Sequence, residues 1–118
     1  MIDGILIIDK QEGITSYDVI RKLKKVMDKG QKIGHGGTLD PIASGLLVIL
    51  LGKGTKLMNT IHSYEKVYEV EAKLGFSTDT QDISGKVLEK DLKKHIPSKE
   101  KIVENIEEYF LGNISQMP

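Results

Sequence analysis

The chain has 118 residues, the usual size of one domain, with 29% charged and 39% hydrophobic residues, which is ordinary for a globular protein. It has no cysteine, which excludes disulfides, thiolate catalysis and cysteine-ligated zinc. The formal net charge is +0, but the first 60 residues carry nine basic and six acidic side chains, and the remainder carries eight and eleven.

The N-terminus "MIDGILIIDK" lacks the basic start and the small-residue cleavage site of a signal peptide. The longest apolar run is too short to span a bilayer. We therefore expect a cytoplasmic protein with no membrane partner.

The first predicted element is a buried strand at about residues 4–9, because "GILIIDK" is a short run rich in isoleucine. A helix is predicted over residues 16–29, where apolar residues recur at helical spacing and Gly30 follows as a stop signal. Thr15 and Asp18 fit a capping box at its start, with Ser16 as a rival N-cap.

The outer side of this helix is basic, since six cations in "RKLKKVMDKGQK" accompany only one acid, Asp28. Such a cluster can contact phosphates, and it can equally be the solvated face of a helix. The cations are Arg21, Lys22, Lys24, Lys25, Lys29 and Lys32.

The middle of the chain predicts a loop at "GHGGTLDPIASG", a second buried strand at "LLVILLG" and a short helix at "GTKLMNTIH". "EKVYEVEAKLG" alternates and predicts a strand with Tyr68 on its apolar face. A polar loop, "FSTDTQDISG", and a short strand, "KVLEK", follow. A last helix starts at Pro97 and Ser98 and ends at Gly112. The mixture, with at least one hairpin-like pair, indicates an α+β fold.

The loop at residues 34–45 is compatible with several kinds of chemistry. Its spacing fails the phosphate-binding P-loop pattern, and "ASG" is not the elbow of a serine nucleophile. The histidines His35, His62 and His95 lack metal-site spacing, so no metal is expected. Asp40 followed by Pro41 is also a common way to start a turn.

Other features of the loop favour a reactive carboxylate. Lysine and arginine are absent from residues 33–52, so Asp40 has no counter-ion nearby in sequence. Pro41 keeps Asp40 out of the helical region, and the surrounding glycines would leave space above it. An ionised aspartate held in this way could act as a nucleophile or base toward something large and flat.

The stretch "GHGGTLDPIASGLLVILLGKGTK" resembles the signature of the tRNA pseudouridine-55 synthase family, which modifies the T-arm of tRNA. The resemblance extends to "GILIIDKQEGITSYDVI", "YEKVYEVEAKLGFSTDTQDISG" and "FLGNISQMP", and so to essentially the whole chain. One departure is Gln11, where the family usually has proline.

The resemblance implies that Asp40 is the catalytic residue and that the fold is part of a largely antiparallel, mixed sheet flanked by helices. The implied reaction breaks the bond between uracil and ribose at uridine 55, turns the base and rejoins it through carbon. It implies no cofactor. How the carboxylate acts is left open by the sequence.

The resemblance also implies a set of substrate-binding residues. His35 would help to fill the space that the flipped base leaves, or it is a loop histidine bonded to backbone. Tyr68 would stack on the flipped base, or it is a core tyrosine. Gly36 and Gly37 would admit the nucleotide, and Lys10 and Asp82 would support it. Lys22, Lys25 and Lys29 become candidate RNA phosphate contacts.

We expect the chain to be the N-terminal part of a catalytic domain, with further strands and a C-terminal RNA-binding domain lying beyond residue 118. The family pairs its aspartate with an arginine, and the only arginine here, Arg21, does not match that position. A complete protein would be a monomer, whereas the fragment would be inactive and self-associate. Two alternatives remain: a guide-RNA-dependent synthase of the sister branch, and a non-catalytic RNA-binding fragment.

Overall fold

A computed structural model describes residues 1–91 and 96–117. The chain divides into an N-terminal unit, Met1–Glu69, and a C-terminal unit that begins at Val70. Each unit combines strands with helices, which confirms the predicted α+β class. Every strand pair in the described ranges is antiparallel.

The N-terminal unit is built on a three-stranded sheet of β1 (Gly4–Lys10), β2 (Ile33–His35) and β3 (Gly45–Leu51). The central strand is β3, so the order is β1-β3-β2. The strands predicted at residues 4–9 and at "LLVILLG" are confirmed as β1 and β3. A 3₁₀ turn (Gly52–Leu57) and the helix α2 (Met58–His62) follow β3, as "GTKLMNTIH" predicts.

One face of this sheet forms the core together with α1 (Ser16–Val26). Val19 and Ile20 of the helix pack against alternate residues of β3, which is buried because it lies in the centre of the sheet. Other side chains of the sheet remain in solvent: Ile5, Ile7 and Leu46 are 48%, 60% and 65% exposed. The core residues are Val19, Ile20, Leu47, Ile49 and Leu51.

The start of α1 follows the sequence, but its end does not. Thr15 is the N-cap and forms the full capping box with Asp18, as predicted. The helix ends at Val26, since Met27 is extended, so the predicted boundary at residue 29 is wrong. Gly30 has a φ of 86° and belongs to a turn after the helix rather than to its cap.

The predicted strand over residues 65–75 is not formed. A strand needs a neighbour to satisfy its backbone hydrogen bonds, and none of the described strands pairs with this segment. Both faces of its alternating pattern are in solvent: Val67 is 97% and Tyr68 is 62% exposed. The alternating pattern indicates a tendency to form a strand, but none of the described strands pairs with this segment.

The C-terminal unit contains the hairpin β4 (Phe76–Thr78) and β5 (Val87–Lys90) and the helix α3 (Lys99–Tyr109). The strand in "KVLEK" is confirmed, whereas the predicted polar loop "FSTDTQDISG" begins with a strand, β4. Ser98 caps α3 as expected by accepting a hydrogen bond from the Lys101 amide at 3.2 Å. None of the described side chains of this unit is buried.

Candidate active site

Asp40 lies in the loop between β2 and β3, with its side chain exposed. Its carbonyl accepts a hydrogen bond from the Ala43 amide at 2.9 Å, so the aspartate also starts a tight turn. No cation in residues 1–91 or 96–117 forms an ion pair with its carboxylate. The two interpretations of Asp40, the start of a turn and a reactive carboxylate, are therefore compatible, because the turn uses only its backbone.

The residue before the aspartate is held by Ser16 at the first position of α1. The Ser16 hydroxyl accepts a hydrogen bond from the Leu39 amide at 2.9 Å and donates to the Leu39 carbonyl at 3.2 Å. Ser16 is only 2% exposed. The Leu39 side chain packs against the core, so both its backbone and its side chain are fixed.

The residue after the aspartate is held by the turn between β1 and α1. The Pro41 carbonyl accepts a hydrogen bond from the Gly13 amide at 2.7 Å. The Lys10 ammonium approaches the same carbonyl at 3.5 Å. Gly13 has a φ of 86°, a left-handed conformation that glycine adopts without strain. Asp40 thus projects from a loop whose neighbouring residues are both anchored.

Lys10 is buried, with 1% of its surface exposed. Its ammonium donates to the carbonyls of Gln11 and Ile14 at 2.9 and 2.8 Å, in addition to Pro41. All three of these acceptors are backbone carbonyls of the β1–α1 turn and the aspartate loop. Lys10 thus supports the loop from 31 residues away in sequence.

His35 is the last residue of the short strand β2 and is half-buried. The prediction that it belongs to a loop is therefore wrong. The three residues of β2 are too few to show a strand pattern in the sequence. The His35 Nδ1 accepts a hydrogen bond from the Gly37 amide at 3.3 Å. Neutral histidine has one acceptor and one donor nitrogen, so Nε2 carries the proton when Nδ1 accepts.

The loop glycines do not all provide open space, contrary to expectation. A Cβ on Gly36 would collide with the Ile61 side chain and lie 3.3 Å from Val48 Cβ, and a Cβ on Gly34 would lie 3.1 Å from Met58 Cε. These two glycines allow α2 to pack closely. Gly37 differs, because its φ is 142° and an added Cβ would meet only Lys66 Cε, at 3.9 Å.

The other predicted substrate-binding residues lie apart from this loop along the chain. Tyr68 is exposed on the irregular segment after α2. Asp82 belongs to the C-terminal unit, in the loop between β4 and β5. Its Oδ1 accepts hydrogen bonds from the Ser84 hydroxyl, the Thr80 hydroxyl and the Ser84 amide, and these lower the pKa of its carboxyl. Asp82 therefore stabilises its own loop.

The three candidate phosphate contacts are all exposed. Lys22 and Lys25 lie on α1, whereas Lys29 lies beyond its end. Arg21 is 2.6 Å from the Asp18 carboxylate and 5.2 Å from the centre of the Tyr17 ring. Lys24 lies 5.7 Å from the centre of the same ring, so Tyr17 contacts two cations of this surface that are not among the three candidates.

Within the described ranges, no three histidine, aspartate or glutamate side chains are grouped closely enough to hold a metal ion. His95 lies outside those ranges. The described helices include none that is long and apolar enough to cross a membrane.

Two anchors of the loop, Ser16 and Gly13, are absent from the predicted site. Their signal in the sequence is weak: Ser16 competes with Thr15 as a helix cap, and Gly13 looks like any turn glycine. Only the three-dimensional contact with residues 39 and 41 distinguishes them.

The loop that carries Asp40 lies inside a segment that matches a known protein family. Residues 21–118 match the model of the TruB family pseudouridylate synthases, N-terminal domain, and the chain belongs to this family.

Several bacterial proteins named tRNA pseudouridine synthase B are similar to it. The protein from Fusobacterium nucleatum is 46% identical over 116 residues, and that from Clostridium acetobutylicum 47% over 116 residues; each alignment covers 98% of this chain and 39% of the relative. The protein from Lactococcus lactis is 39% identical over 118 residues, with 99% of this chain and 35% of the relative covered. The chain thus spans well under half the length of these relatives.

Proposed function

We propose that the whole protein containing this chain converts uridine 55 in the T-arm loop of tRNA to pseudouridine, with Asp40 as its catalytic residue. The observation that carries the proposal is the anchoring of Leu39 and Pro41 on either side of an exposed carboxylate that has no ion-pair partner among the described residues. Membership of a pseudouridylate synthase family supplies the reaction class.

The chemistry needs no oxidant or reductant. The bond from uracil N1 to ribose C1′ breaks, a bond from C5 to C1′ forms, and the proton on C5 leaves while N1 gains one. Product and substrate are isomers, so a carboxylate and a positioned base suffice. An ionised aspartate can supply the nucleophile or the base, and fixed geometry contributes a large part of such a rate.

The target base is stacked in an RNA loop and has to be flipped out, which costs a few kcal/mol. We assign the stacking surface for the flipped base to Tyr68, whose ring is 62% exposed and free of the strand that sequence alone predicts. We assign to His35 the occupation of the space that the base leaves. The open side of Gly37 gives room for the nucleotide, and Asp82 keeps a supporting role through its loop.

The relatives extend well beyond this chain, which fits a division into two parts. We propose that residues 1–118 form the N-terminal part of the catalytic domain. The remaining strands, the arginine that pairs with Asp40 and a C-terminal RNA-binding domain would come from the rest of the whole protein, which acts as a monomer on tRNA without metal or cofactor.

A chimera provides a complete enzyme for the test. Residues 1–118 replace the matching segment of the Fusobacterium nucleatum relative, which is similar over 116 residues. Tritium release from tRNA labelled at C5 of uracil measures turnover, and tRNA binding is measured separately. We expect Asp40→Asn to abolish turnover and retain binding, because the amide keeps the shape and loses the charge.

Asp28→Asn is the matched control, since Asp28 is an exposed aspartate outside the loop. A tenth of the rate remaining in Asp40→Asn would contradict the assignment, because that loss corresponds to only about 1.4 kcal/mol in barrier. Activity that requires an added guide RNA would favour the sister branch, and tRNA binding without product would favour a binding fragment.

A further inference from the structure

We propose that Ser16 is a positioning residue for Asp40: its hydroxyl holds both backbone groups of Leu39 and thereby sets the direction of the carboxylate that follows. The inference rests on the proposed function for its effect on turnover. The contact itself is a property of the fold and can be tested without any activity.

The hydroxyl both donates and accepts in this contact. A serine hydroxyl has one donor, which goes to the Leu39 carbonyl at 3.2 Å, and it accepts the Leu39 amide at 2.9 Å. At 2% exposure, water cannot readily replace these bonds. One side chain therefore satisfies the amide and the carbonyl of a single loop residue 23 positions away.

The contact is separate from the capping of α1, although Ser16 is the first residue of that helix. Thr15 is the N-cap, and its hydroxyl accepts the Asp18 amide at 2.9 Å. The helix start is therefore stabilised without Ser16. The Thr15 hydroxyl thus caps the helix, and the adjacent Ser16 hydroxyl bonds to the aspartate loop.

Fixing both backbone groups of Leu39 restricts the peptide planes on either side of it, and the second of these planes leads directly into Asp40. On the far side, Pro41 is bound to the Gly13 amide at 2.7 Å. With Leu39 attached to the first residue of α1 and Pro41 to the turn before it, the aspartate backbone has little freedom. The Cα–Cβ bond of Asp40 then has a fixed direction, which restricts the positions that its carboxylate can reach, as positioned catalysis requires.

The first test uses the chimera described above and measures amide hydrogen exchange by NMR, which needs no turnover. We expect Ser16→Ala to raise the exchange rate of the Leu39 amide about fivefold, while amides of β3 remain protected. Thr15→Ala is the matched control: it should loosen the first turn of α1 and leave Leu39 protected. Ser16→Thr, which keeps a hydroxyl, should retain protection.

The second test measures turnover in the chimera described above. We expect Ser16→Ala to lower kcat about 100-fold, the size of effect that a misplaced catalytic group produces, with KM and tRNA affinity unchanged. Ser16→Thr should restore much of kcat, and Thr15→Ala should leave kcat near that of the parent. This pattern separates positioning from a general loss of stability, which would affect both alanine variants.

Three results would overturn the proposal: a Leu39 amide that stays protected in Ser16→Ala, a kcat that does not change, or an equal loss of kcat in Thr15→Ala. If Ser16→Thr does not fold, the comparison of the two alanine variants decides. If the parent chimera makes no pseudouridine, the proposed function fails. The Leu39 exchange rate then supports or overturns the contact by itself.

Discussion

At the scale of single residues, the candidate site consists of an exposed carboxylate and the buried groups that fix its neighbours. Asp40 makes no side-chain contact that would compete with a substrate among the described residues. Ser16 and Lys10, by contrast, are 2% and 1% exposed and bond to backbone carbonyls. The candidate carboxylate is thus exposed, whereas the side chains that hold its loop are buried.

A substitution at Gly36 tests whether its small size serves packing. We expect Gly36→Ala to lower the free energy of unfolding by about 1–3 kcal/mol, because the added methyl meets Ile61 and Val48, both branched at Cβ and stiff. Gly34→Ala should cost less, since it meets the flexible end of Met58. Urea denaturation followed by circular dichroism measures both. Equal stability of the two variants would contradict this account.

At the scale of elements, we expect the start of α1 to depend on pH. The Thr15 amide donates to the Asp18 carboxylate at 2.9 Å, and this bond, with the Thr15 hydroxyl and Arg21, lowers the pKa of Asp18. A lowered folded-state pKa means that the carboxylate stabilises the helix above the unfolded value of about 3.9. That contribution is lost as the pH falls through the lowered value.

We therefore expect the protection of amides in the first turn of α1 to fall as the pH drops below about 4, and Asp18→Asn to remove this dependence. The strand β3 is an internal control, because none of its side chains from Gly45 to Leu51 titrates. Hydrogen exchange across an acid pH series measures both elements. If protection in the first turn of α1 is independent of pH, the capping box does not depend on the charge of Asp18.

The basic side of α1 is a second property of this element. We expect the triple change of Lys22, Lys25 and Lys29 to glutamine, in the chimera, to weaken tRNA binding and to reduce its logarithmic salt slope by about 2, since each phosphate contact contributes 0.7–0.9. Changing Lys86, Lys90 and Lys99 instead removes the same charge elsewhere. An unchanged slope in the first variant would mean that these lysines are only solvated.

Local sequence patterns predict the elements whose signals lie within the element itself, such as a continuous apolar run or a helix cap. The strand β3 is a continuous apolar run in the centre of the sheet, and α1 has both a capping box and an apolar stripe. The segment around Tyr68 has an equally clear pattern and no strand, because pairing requires a neighbour that the described residues do not provide. β2 is the reverse case: its three residues have no pattern and pair because β3 lies beside them.

The candidate site shows the same limit. The aspartate stands out in the sequence because glycines and a proline surround it, whereas Ser16 and Gly13 become visible only when residues more than 20 positions apart meet. The burial of Lys10 could not be predicted from the sequence for the same reason, since it depends on the closure of the turn over its ammonium.

At the scale of the whole molecule, apolar surface remains exposed in both units. Ile7 and Leu46 on the sheet are at least 60% exposed, as are Leu88 and Phe110 in the C-terminal unit. Exposed apolar side chains that form a patch favour contact with other molecules or with further copies of the chain. An isolated two-stranded hairpin, such as β4 with β5, is marginally stable in water.

We therefore expect the isolated 118 residues to make no pseudouridine and to self-associate. Light scattering should show species larger than a monomer, and hydrogen exchange should show protected amides in β3 and rapid exchange after Val70. A double change of Ile7 and Leu46 to threonine should reduce association if the sheet face is responsible. A monomer with protection throughout would show that the chain completes its own core, and turnover comparable with that of a complete synthase would make the arginine dispensable.

The pairing of β1 with β3 also bears on the order of events during folding. Gly4 pairs with Leu51 and Lys10 with Gly45, so the sheet closes only after a long intervening segment has been brought together. Such closure is slow compared with the formation of α1, which needs only local contacts. Because translation proceeds at about 5–20 residues per second, the strands of the N-terminal unit can meet while later residues are still being synthesised. The contacts that hold the aspartate loop all lie within the N-terminal unit, so the backbone of this loop does not depend on the synthesis of residues after Glu69.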